Sequence, residues 1–350
     1  MNRVCEFRKR FQGAVLIEDR KNIYYLTGFT GEGCALITEN SQIIITDFRY
    51  VEQCTRQAPE CRLETTSKDV NRESILKSCL SAENINELFV ETGIMTVNAY
   101  RRLESALEGV KLSDLPGTVG EMRIVKSEEE LGFIAKAAKI SCLALEETLK
   151  QLKPGMTEKY ACALLEHEMR LHGSEGLAFD TIVASGVNGS LPHAVPSDKQ
   201  IQSGELLTFD FGASYGGYCS DCTRTVAIGS IGAELRKIYD SVYTAHMKAL
   251  EKVKAGMICK ELDSIARDYL EPIYPGAFGH SLGHGVGLNI HEAPTVSQKG
   301  ETVLVPGHVI TIEPGVYIPN LGGCRIEDTV FVTEDGFVDP YTVSKQLIVV

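Results

Sequence analysis

The sequence predicts two domains, an α/β domain over residues 1–120 and an α+β domain over residues 121–350. A length of 350 residues favours two domains over one. Short strand-like runs alternate with helical patterns in the first ~110 residues. The rest of the chain twice shows helices followed by a hairpin with acidic arms, Asp210–Asp221 and Glu313–Glu327, which indicates a pseudo-two-fold repeat.

Apolar runs that end at turn residues predict the strands of the first domain, and amphipathic runs between them predict its helices. The glycine-rich stretch 28–33 leads into a strand, so we interpret it as a turn and not as a phosphate loop. Segment 109–125 contains Leu-Pro-Gly and is interpreted as a linker. The predicted strands are 13–18, 34–38, 42–46 and 87–91, and the predicted helices are 48–57, 70–80 and 97–107.

The second domain opens with a capping box, in which Ser127 is followed three residues later by Glu130. Apolar residues at helical spacing then predict a helix that ends at Lys153. Thr157 is expected to cap the next helix, which runs to about His172. Later helices are predicted at 231–254 and 259–274, and the strands include 206–212 and 309–316.

The composition excludes several classes of protein. Lysine and arginine number 35 against 47 acidic residues, a net charge of -12, and no basic run predicts a nucleic-acid surface. No apolar run is long enough to span a bilayer, and the charged N-terminus is not followed by the apolar run of a secretory signal. The eleven cysteines are scattered over the chain, which is typical of reduced thiols in a cytoplasmic protein.

Cys219 and Cys222 form a C-x-x-C pair, a spacing that occurs in redox and zinc sites. No second cysteine pair accompanies it, and on a strand the two side chains would face opposite sides. We therefore expect both cysteines to pack beside Asp221.

The first acidic hairpin is expected to place two carboxylates side by side. Asp210 and Asp221 are equidistant from the junction between Tyr215 and Gly216. A loop centred at that junction would set the two acids opposite each other on antiparallel strands, about 5 Å apart at Cβ. Carboxylates at that distance repel each other unless a proton or a cation lies between them.

The second hairpin and a histidine extend this acidic cluster. Glu313 and Glu327 flank Asn320 at equal distances, so they are expected to oppose each other in the same way. His284, in a glycine-rich segment between the hairpins, suits a terminal metal ligand. Four carboxylates and one imidazole fit a pair of divalent cations, with Mn favoured and Co or Zn as alternatives. A metal pair of this kind implies hydrolysis.

Together these motifs resemble the pita-bread metallopeptidases, in particular the branch of Xaa-Pro aminopeptidase and Xaa-Pro dipeptidase (prolidase). The resemblance spans nearly the whole chain. Residues 22–31 and 46–50 are similar to the creatinase/prolidase N-terminal domain of that branch, and residues 121–127 are similar to its domain junction. Because the first domain carries no ligand cluster of its own, we expect it to form a homodimer and to wall the active-site cleft.

The resemblance also implies roles for the ligands. Asp210 would chelate one metal, and His284 with Glu313 would hold the other. Asp221 and Glu327 would bridge the two. The metals would act as Lewis acids and activate the attacking water, while Glu313 would handle the proton of that nucleophile.

Other residues match catalytic groups of the family. His291 would stabilise the tetrahedral intermediate. His193 and His280 match active-site histidines, with His193 on the substrate side. Tyr317 and Arg325 match residues that support the metal carboxylates, and Arg325 is counted among the catalytic groups as well. The remaining histidines, His167, His172, His246 and His308, have no motif around them and are interpreted as ordinary.

The length of the peptide is the open question. Some prolidases carry a basic residue after the His-Glu-x-Pro segment, where it holds the carboxylate of a dipeptide, but here Thr295 follows His291–Pro294. The missing cation favours an Xaa-Pro aminopeptidase that cleaves peptides with proline at position two, with Xaa-Pro dipeptidase as the alternative. A methionine aminopeptidase, a metal-free creatinase-type enzyme and an inactive binding protein are weaker alternatives, because the Xaa-Pro motifs and all five ligands are present.

Overall fold

The computed structural model describes residues 2–350. By its internal contacts the chain divides into two compact units, Met1–Met122 and Arg123–Val350. The first has the alternating strands and helices of an α/β domain, and the second is an α+β domain with repeated halves. Among the helices of the described residues, none is both long enough and apolar enough to cross a membrane.

A six-stranded sheet forms the centre of the first unit. Its elements in chain order are α1 (Arg3–Arg10), β1 (Ala14–Ile17), α2 (Arg20–Thr27), β2 (Cys34–Ile37), β3 (Gln42–Thr46), a 3₁₀ helix (Phe48–Tyr50), α3 (Val51–Gln57), β4 (Arg62–Thr65), α4 (Arg72–Ala82), β5 (Glu87–Val90), α5 (Val97–Ala106), β6 (Lys111–Asp114) and α6 (Thr118–Ile124). The strands lie in the order β4-β3-β2-β1-β5-β6, with β1 antiparallel to β2 and parallel to β5. Every side chain of β1 is buried, as expected for a strand covered on both faces.

Segment 109–125 is not a linker, so that prediction was wrong. It contains β6, which pairs in parallel with β5, and α6. Backbone bonds from Lys111 N to Asn86 O and from Leu115 N to Val90 O fix β6 at the edge of the sheet. A polar edge strand of four residues has little strand propensity of its own. Segment 111–114 is a strand because it pairs with β5, and its own sequence pattern does not show that pairing.

The second unit packs two pairs of helices on one large sheet. Its elements are α7 (Glu128–Gln151), α8 (Glu158–Leu171), β7 (Gly176–Leu177), β8 (Ile182–Ser185), a 3₁₀ helix (Gly186–Ser190), β9 (Leu206–Phe211), β10 (Ala213–Tyr215), β11 (Tyr218–Cys219), β12 (Cys222–Ala227), α9 (Ala233–Leu250), α10 (Cys259–Leu270), β13 (Gly283–Gly285), β14 (Glu292–Val296), β15 (Val309–Ile312), β16 (Gly315–Ile318), β17 (Gly322–Arg325), β18 (Glu327–Val332) and β19 (Phe337–Val338). The predicted capping box is present at the start of α7.

The sheet of the second unit shows the predicted pseudo-two-fold repeat. Its strands lie in the order β14-β13-β15-β18-β12-β9-β8. β18 and β12 pair at the centre, β15 and β9 lie outside them, and β13 and β8 follow. The pair α7 and α8 precedes β9, and the pair α9 and α10 precedes β15. Each helix pair buries its apolar face in a separate core cluster against this sheet.

The first acidic hairpin turns one residue later than predicted. Its turn residues are Gly216 and Gly217, with φ values of 58° and 75°. In the register that this turn imposes on β9 and β12, Asp210 faces Thr223 and not Asp221. Two consecutive residues with positive φ suit a tight two-residue turn, and glycine adopts that conformation without strain. The two aspartates are therefore diagonal neighbours and not an opposed pair.

The second hairpin keeps the predicted register. Asn320 lies in its turn with φ 64°. The β15–β18 and β16–β17 ladders share one register, and this register sets Glu313 opposite Glu327. Pro314 has no N–H to donate, and it splits the predicted strand 309–316 into β15 and β16.

Candidate metal centre

The five expected ligands converge on one cleft of the second unit. They lie on neighbouring strands or directly beside them: Asp210 in β9, Asp221 before β12, His284 in β13, Glu313 between β15 and β16, and Glu327 at the start of β18. All five line a cavity of about 470 Å³. The repeat of the sheet thus brings together side chains that are more than a hundred residues apart in sequence.

Three of these side chains are close enough to share one cation. Asp221, His284 and Glu327 each offer a ligand atom within 4.8 Å of the other two. His284 Nε2 lies 3.5 Å from Asp221 Oδ2 and 3.4 Å from Glu313 Oε1. Carboxylate oxygens and an imidazole nitrogen at these separations suit a borderline-hard divalent cation.

The carboxylates of the cluster repel one another. Burial, and then neighbouring carboxylates with Glu327 first, raise the pKa of Asp221 well above its usual range. Burial and then Glu313 raise the pKa of Glu327 in the same way. Burial raises the pKa of Glu313 to about 8, although Arg325 opposes the rise. Added positive charge would favour the ionised form of these groups.

His284 is arranged as a neutral ligand. Its Nδ1 lies 3.0 Å from the carbonyl oxygen of Gly285, which can only accept, so Nδ1 carries the proton. Nε2 is left with a lone pair that faces Asp221 and Glu313. Burial lowers the pKa of His284 to about 4, which keeps the ring neutral at pH 7.

Asp210 has one oxygen that fits a cation. Arg325 Nη2 donates to Asp210 Oδ2 at 2.6 Å. Within residues 2–350, Oδ1 of the same carboxylate is buried without a hydrogen-bond donor. A buried, unpaired carboxylate oxygen is costly unless a cation binds it. The donor set of the cleft therefore fits the divalent metals that the sequence implies.

Arg325, Tyr317 and His280 form a chain of hydrogen bonds beside the ligands. Arg325 Nη1 donates to Tyr317 Oη at 2.7 Å, and Tyr317 Oη lies 2.9 Å from His280 Nε2. His280 Nδ1 lies 2.8 Å from the carbonyl oxygen of Ser281, so Nδ1 carries the proton and Nε2 accepts from the tyrosine. Burial lowers the pKa of His280 to about 4 and raises the pKa of Tyr317 to about 12.

His193 and His291 are the exposed histidines of the cleft. Both side chains line the cavity. The ring of His291 packs edge-on against His284, with 4.4 Å between the ring centroids. Much of the remaining wall is apolar and consists of Phe179, Ile182, Pro192, Ala194, Val195 and Ile290.

The hydroxyl groups that orient the carboxylates were not predicted from the sequence. Thr223 Oγ1 donates to Glu327 Oε2 at 2.6 Å, and Thr311 Oγ1 donates to Glu313 Oε1 at 3.1 Å. Strand alternation was the available signal, because Thr223 lies two residues beyond Asp221 and faces the same side.

His246, which had no sequence motif, belongs to a buried ion-pair network behind the ligands. Its Nε2 lies 2.9 Å from Asp328 Oδ2, and Arg224 Nη2 donates to Asp328 Oδ1 at 2.6 Å. Arg224 Nη1 also donates to the carbonyl oxygen of Glu327 at 2.6 Å. This network therefore fixes the strand that carries Glu327.

Cys219 and Cys222 are both buried. Cys219 Sγ lies 3.8 Å from the carbonyl oxygen of Leu288, and Cys222 belongs to the core cluster that includes Phe211. Within the described part of the chain, neither cysteine belongs to a group of side chains that could hold a metal. Their surroundings are those of packing residues.

Comparisons with known protein families match both units. The model of metallopeptidase family M24 matches residues 132–334, and the model of the creatinase/prolidase N-terminal domain matches residues 6–125. The chain belongs to metallopeptidase family M24. The expected fold, a pita-bread domain after a creatinase/prolidase-like domain, is confirmed, and so is the expected enzyme class, a peptide hydrolase.

This M24 metallopeptidase is similar to known relatives over nearly its whole length. It is 40% identical to a Xaa-Pro dipeptidase of Pyrococcus horikoshii over 344 residues, which are 96% of this chain and 95% of the relative. The solved structure of an X-Pro aminopeptidase from Thermotoga maritima is 38% identical, with a TM-score of 0.93 and coverage of 99% of this chain and 100% of that one. A Xaa-Pro dipeptidase from Bacillus anthracis is 37% identical, with a TM-score of 0.96 and coverage of 99% of both chains.

Proposed function

We propose that this M24 metallopeptidase hydrolyses the Xaa-Pro bond of short peptides and that Xaa-Pro dipeptides are its first substrates. The observation that carries the proposal is the cluster of Asp221, His284 and Glu327, whose ligand atoms lie within 4.8 Å of one another in the cleft. The 40% identity to a Xaa-Pro dipeptidase over 96% of the chain supports the specificity for proline.

Five side chains would hold two divalent metal ions. We propose that Asp221 and Glu327 bridge the two sites, that Asp210 belongs to one site, and that His284 and Glu313 belong to the other. When bound, the metals would supply Lewis acid chemistry to the scissile carbonyl and its attacking water. Four carboxylates with a single imidazole favour Mn, with Co or Zn as alternatives.

The residues around the ligands would act on the peptide. We propose that Glu313 takes a proton from the nucleophile. His291 and His193 line the cavity with exposed imidazoles, which suit donation to the developing oxyanion and contact with the substrate. His280 Nε2 already accepts from Tyr317, so we propose that His280 supports the position of Arg325 through that tyrosine. The apolar part of the wall suits a pyrrolidine ring.

Thr295 was the local reason to favour an aminopeptidase. It is exposed on β14, opposite His284 in the ladder. The described residues that line the cavity do not include it. Its lack of charge therefore says little about how the carboxylate of a dipeptide is held. The relatives favour the dipeptidase, while the similarity to the T. maritima X-Pro aminopeptidase makes the aminopeptidase the second candidate.

A panel of peptides tests the proposal. We expect the Mn-loaded protein to cleave Xaa-Pro dipeptides with a kcat/KM at least about tenfold above that for Xaa-Pro-Yaa tripeptides, measured by HPLC. Faster cleavage of the tripeptides would favour the aminopeptidase, and cleavage of neither would contradict both. A His284→Ala protein prepared in parallel should be inactive, which excludes contaminating peptidases.

A homodimer and a cytoplasmic location stay predictions. We propose that the first unit carries the dimer contact, since the ligand cluster lies in the second unit. Size-exclusion chromatography with light scattering should give twice the mass of one chain, and the mass of a monomer would contradict the dimer.

A further inference from the structure

Glu158 is a buried carboxylate outside the ligand cluster. It is the first residue of α8, and its exposed fraction is 0%. Its two oxygens accept six hydrogen bonds from Ser185, Asn188 and Ser197. The shortest come from Ser197 Oγ at 2.6 Å and from the backbone N of Ser185 at 2.7 Å. Hydrogen bonds to an ionised carboxylate are stronger than those between neutral groups, so Glu158 holds these donors firmly in place.

The three donors bracket a stretch that carries a cleft residue. We call residues 185–197 the His193 segment, which runs from the last residue of β8 through the 3₁₀ helix to Ser197. Glu158 thus bonds to both ends of the segment and to Asn188 inside it. The backbone N of Glu158 also donates to the carbonyl oxygen of Lys199 at 3.1 Å, so the chain after the segment is tied to the same helix end.

On its other side the His193 segment rests on the backbone of β17. A Cβ atom at Gly189 would lie 3.2 Å from Gly323 N, and one at Gly323 would lie 2.2 Å from Gly189 O. The two glycines therefore allow a backbone contact that larger residues would prevent. Next to this contact the carbonyl oxygen of Pro192 accepts from Arg325 Nη1 at 3.3 Å.

The imidazole of His193 depends on this backbone for its position. Its side chain is exposed and lines the cavity. Within residues 2–350 no hydrogen bond or ion pair holds the ring itself. The place of the ring in the cleft is therefore determined by the segment that Glu158 and β17 hold between them.

A carboxylate suits this task better than an amide. Burial by itself would raise the pKa of Glu158, yet hydrogen bonds led by those of Ser197 and Ser185 hold the pKa below its ordinary value. The group is therefore ionised, and the N-terminus of α8 favours its negative charge. All of its partners in the His193 segment donate to it, and a glutamine would turn an NH₂ group towards some of these donors.

We propose that Glu158 is a positioning residue, whose carboxylate fixes the His193 segment and thereby the imidazole of His193 and the carbonyl of Pro192 in the cleft. This inference rests on the proposed function for its effect on catalysis. Its structural part, the order of the His193 segment, does not depend on that function.

Kinetics of Glu158→Gln, His193→Ala and the double variant test the catalytic part. We expect Glu158→Gln to lower kcat/KM for a Xaa-Pro dipeptide by about 10- to 100-fold while Mn content is unchanged. In the double variant the effects should not add, so that Glu158→Gln lowers activity by less than about twofold once His193 is absent. Additive effects would overturn the proposal, because Glu158 would then act independently of His193.

Hydrogen exchange tests the structural part and needs no substrate. In Glu158→Gln the amides of the His193 segment should exchange at least about tenfold faster than in the parent protein. Glu168→Gln is the matched control, since Glu168 is a buried carboxylate of the same helix that accepts from Gln151 and not from the segment. Unchanged exchange rates in Glu158→Gln would overturn the proposal even if no Xaa-Pro peptide were cleaved.

Ser197→Ala removes the shortest of these hydrogen bonds and should also make the amides of the His193 segment exchange faster. This variant keeps the test available if Glu158→Gln does not fold.

Discussion

At the scale of single residues, several of the proposed metal ligands are oriented by neighbours that are not ligands themselves. Thr223 donates to Glu327, and the carbonyl oxygen of Gly285 sets the tautomer of His284. Partners of this kind fix both the direction and the basicity of a metal ligand. The geometry of the cleft therefore depends on small polar groups as much as on the ligands.

Replacement of Thr223 by valine tests this dependence. Valine keeps the shape of threonine but cannot donate to Glu327, so we expect Mn affinity to fall by about 10- to 100-fold, as for other residues that orient metal ligands. Isothermal titration of metal-free protein with Mn measures the change. Thr208→Val is the control, because Thr208 is also buried in this sheet and bonds to Thr225. Equal Mn affinity for Thr223→Val and the parent protein would contradict the role.

His308 should make stability depend on pH. Burial, followed by the charge of Lys126, lowers the pKa of His308 to about 4, and its exposed fraction is 4%. Below the ordinary histidine pKa of about 6.5, the unfolded chain binds a proton that the folded chain does not. The free energy of unfolding should therefore fall between about pH 6.5 and pH 4, and this residue should contribute no slope above pH 6.5.

Urea unfolding of the parent protein and His308→Gln at pH 7 and pH 4.5 measures this contribution. The loss of stability between the two pH values should be smaller in the variant by about 1 to 3 kcal/mol. The difference between the two proteins removes the contributions of the other titrating groups. An identical loss in both proteins would show that His308 titrates normally in the folded state.

At the scale of elements, turn geometry and helix capping fix the hairpin that carries Asp210 and Asp221. The Gly216–Gly217 turn sets the register of β9 on β12 and makes Asp210 and Asp221 diagonal neighbours. The capping box of α7 reaches the same hairpin, since Tyr218 Oη donates to Glu130 Oε1 at 2.7 Å. A single glutamate thus caps a helix and ties it to the hairpin beside Asp221.

Loss of the α7 cap should destabilise the fold. Ser127 Oγ accepts from the backbone N of Glu130, and the Glu130 side chain accepts from Ser127 N at 2.7 Å. Ser127→Ala should lower the free energy of unfolding by about 1 kcal/mol in urea titrations. Ser264→Ala is the comparison, because Ser264 lies inside α10 and its hydroxyl donates back to the carbonyl oxygen of Lys260. The free energy of unfolding of Ser264→Ala should stay within about 0.5 kcal/mol of that of the parent protein. If Ser264→Ala lost as much stability as Ser127→Ala, the loss in Ser127→Ala could not be assigned to the cap.

At the scale of the whole second unit, the pseudo-two-fold sheet concentrates negative charge in its cleft. The repeat places the acidic hairpin of each half on the central strands β12 and β18 and their neighbours. Burial and mutual repulsion raise the pKa values of Asp221, Glu313 and Glu327. Metal binding and folding stability are therefore coupled, because cations relieve repulsion that exists only in the folded chain.

Mn should stabilise the folded protein. A ligand that binds only the folded state raises its stability by about 2.7 kcal/mol per site at ~100 times the dissociation constant. We expect Tm to rise with Mn concentration in calorimetric scans of metal-free protein, and EDTA to reverse the rise. Asp221→Asn, which lacks a proposed bridging carboxylate, should show a smaller rise. A Tm that does not respond to Mn would contradict a metal site in this cleft.

Much of the fold could be predicted from the sequence, for reasons that particular residues make clear. The capping box at Ser127 and the spacing about Asn320 are local signals, and the structure confirms both predictions. The edge strand β6 could not be predicted, because its pairing with β5 and not its own side chains makes it a strand. The register of the first hairpin was missed by one residue, since symmetric spacing alone does not say which glycines form the turn.

The sequence by itself indicated the chemistry of this protein, because the types of the five proposed ligands and the motifs around them are local properties of the chain. Only the tertiary structure decided how that chemistry is arranged. The proton position on His284, the unpaired oxygen of Asp210 and the hold of Glu158 on the His193 segment each depend on groups distant in sequence or on backbone atoms. Hydrogen bonds and burial act through space, so their partners are defined only once the sheet has brought the strands together.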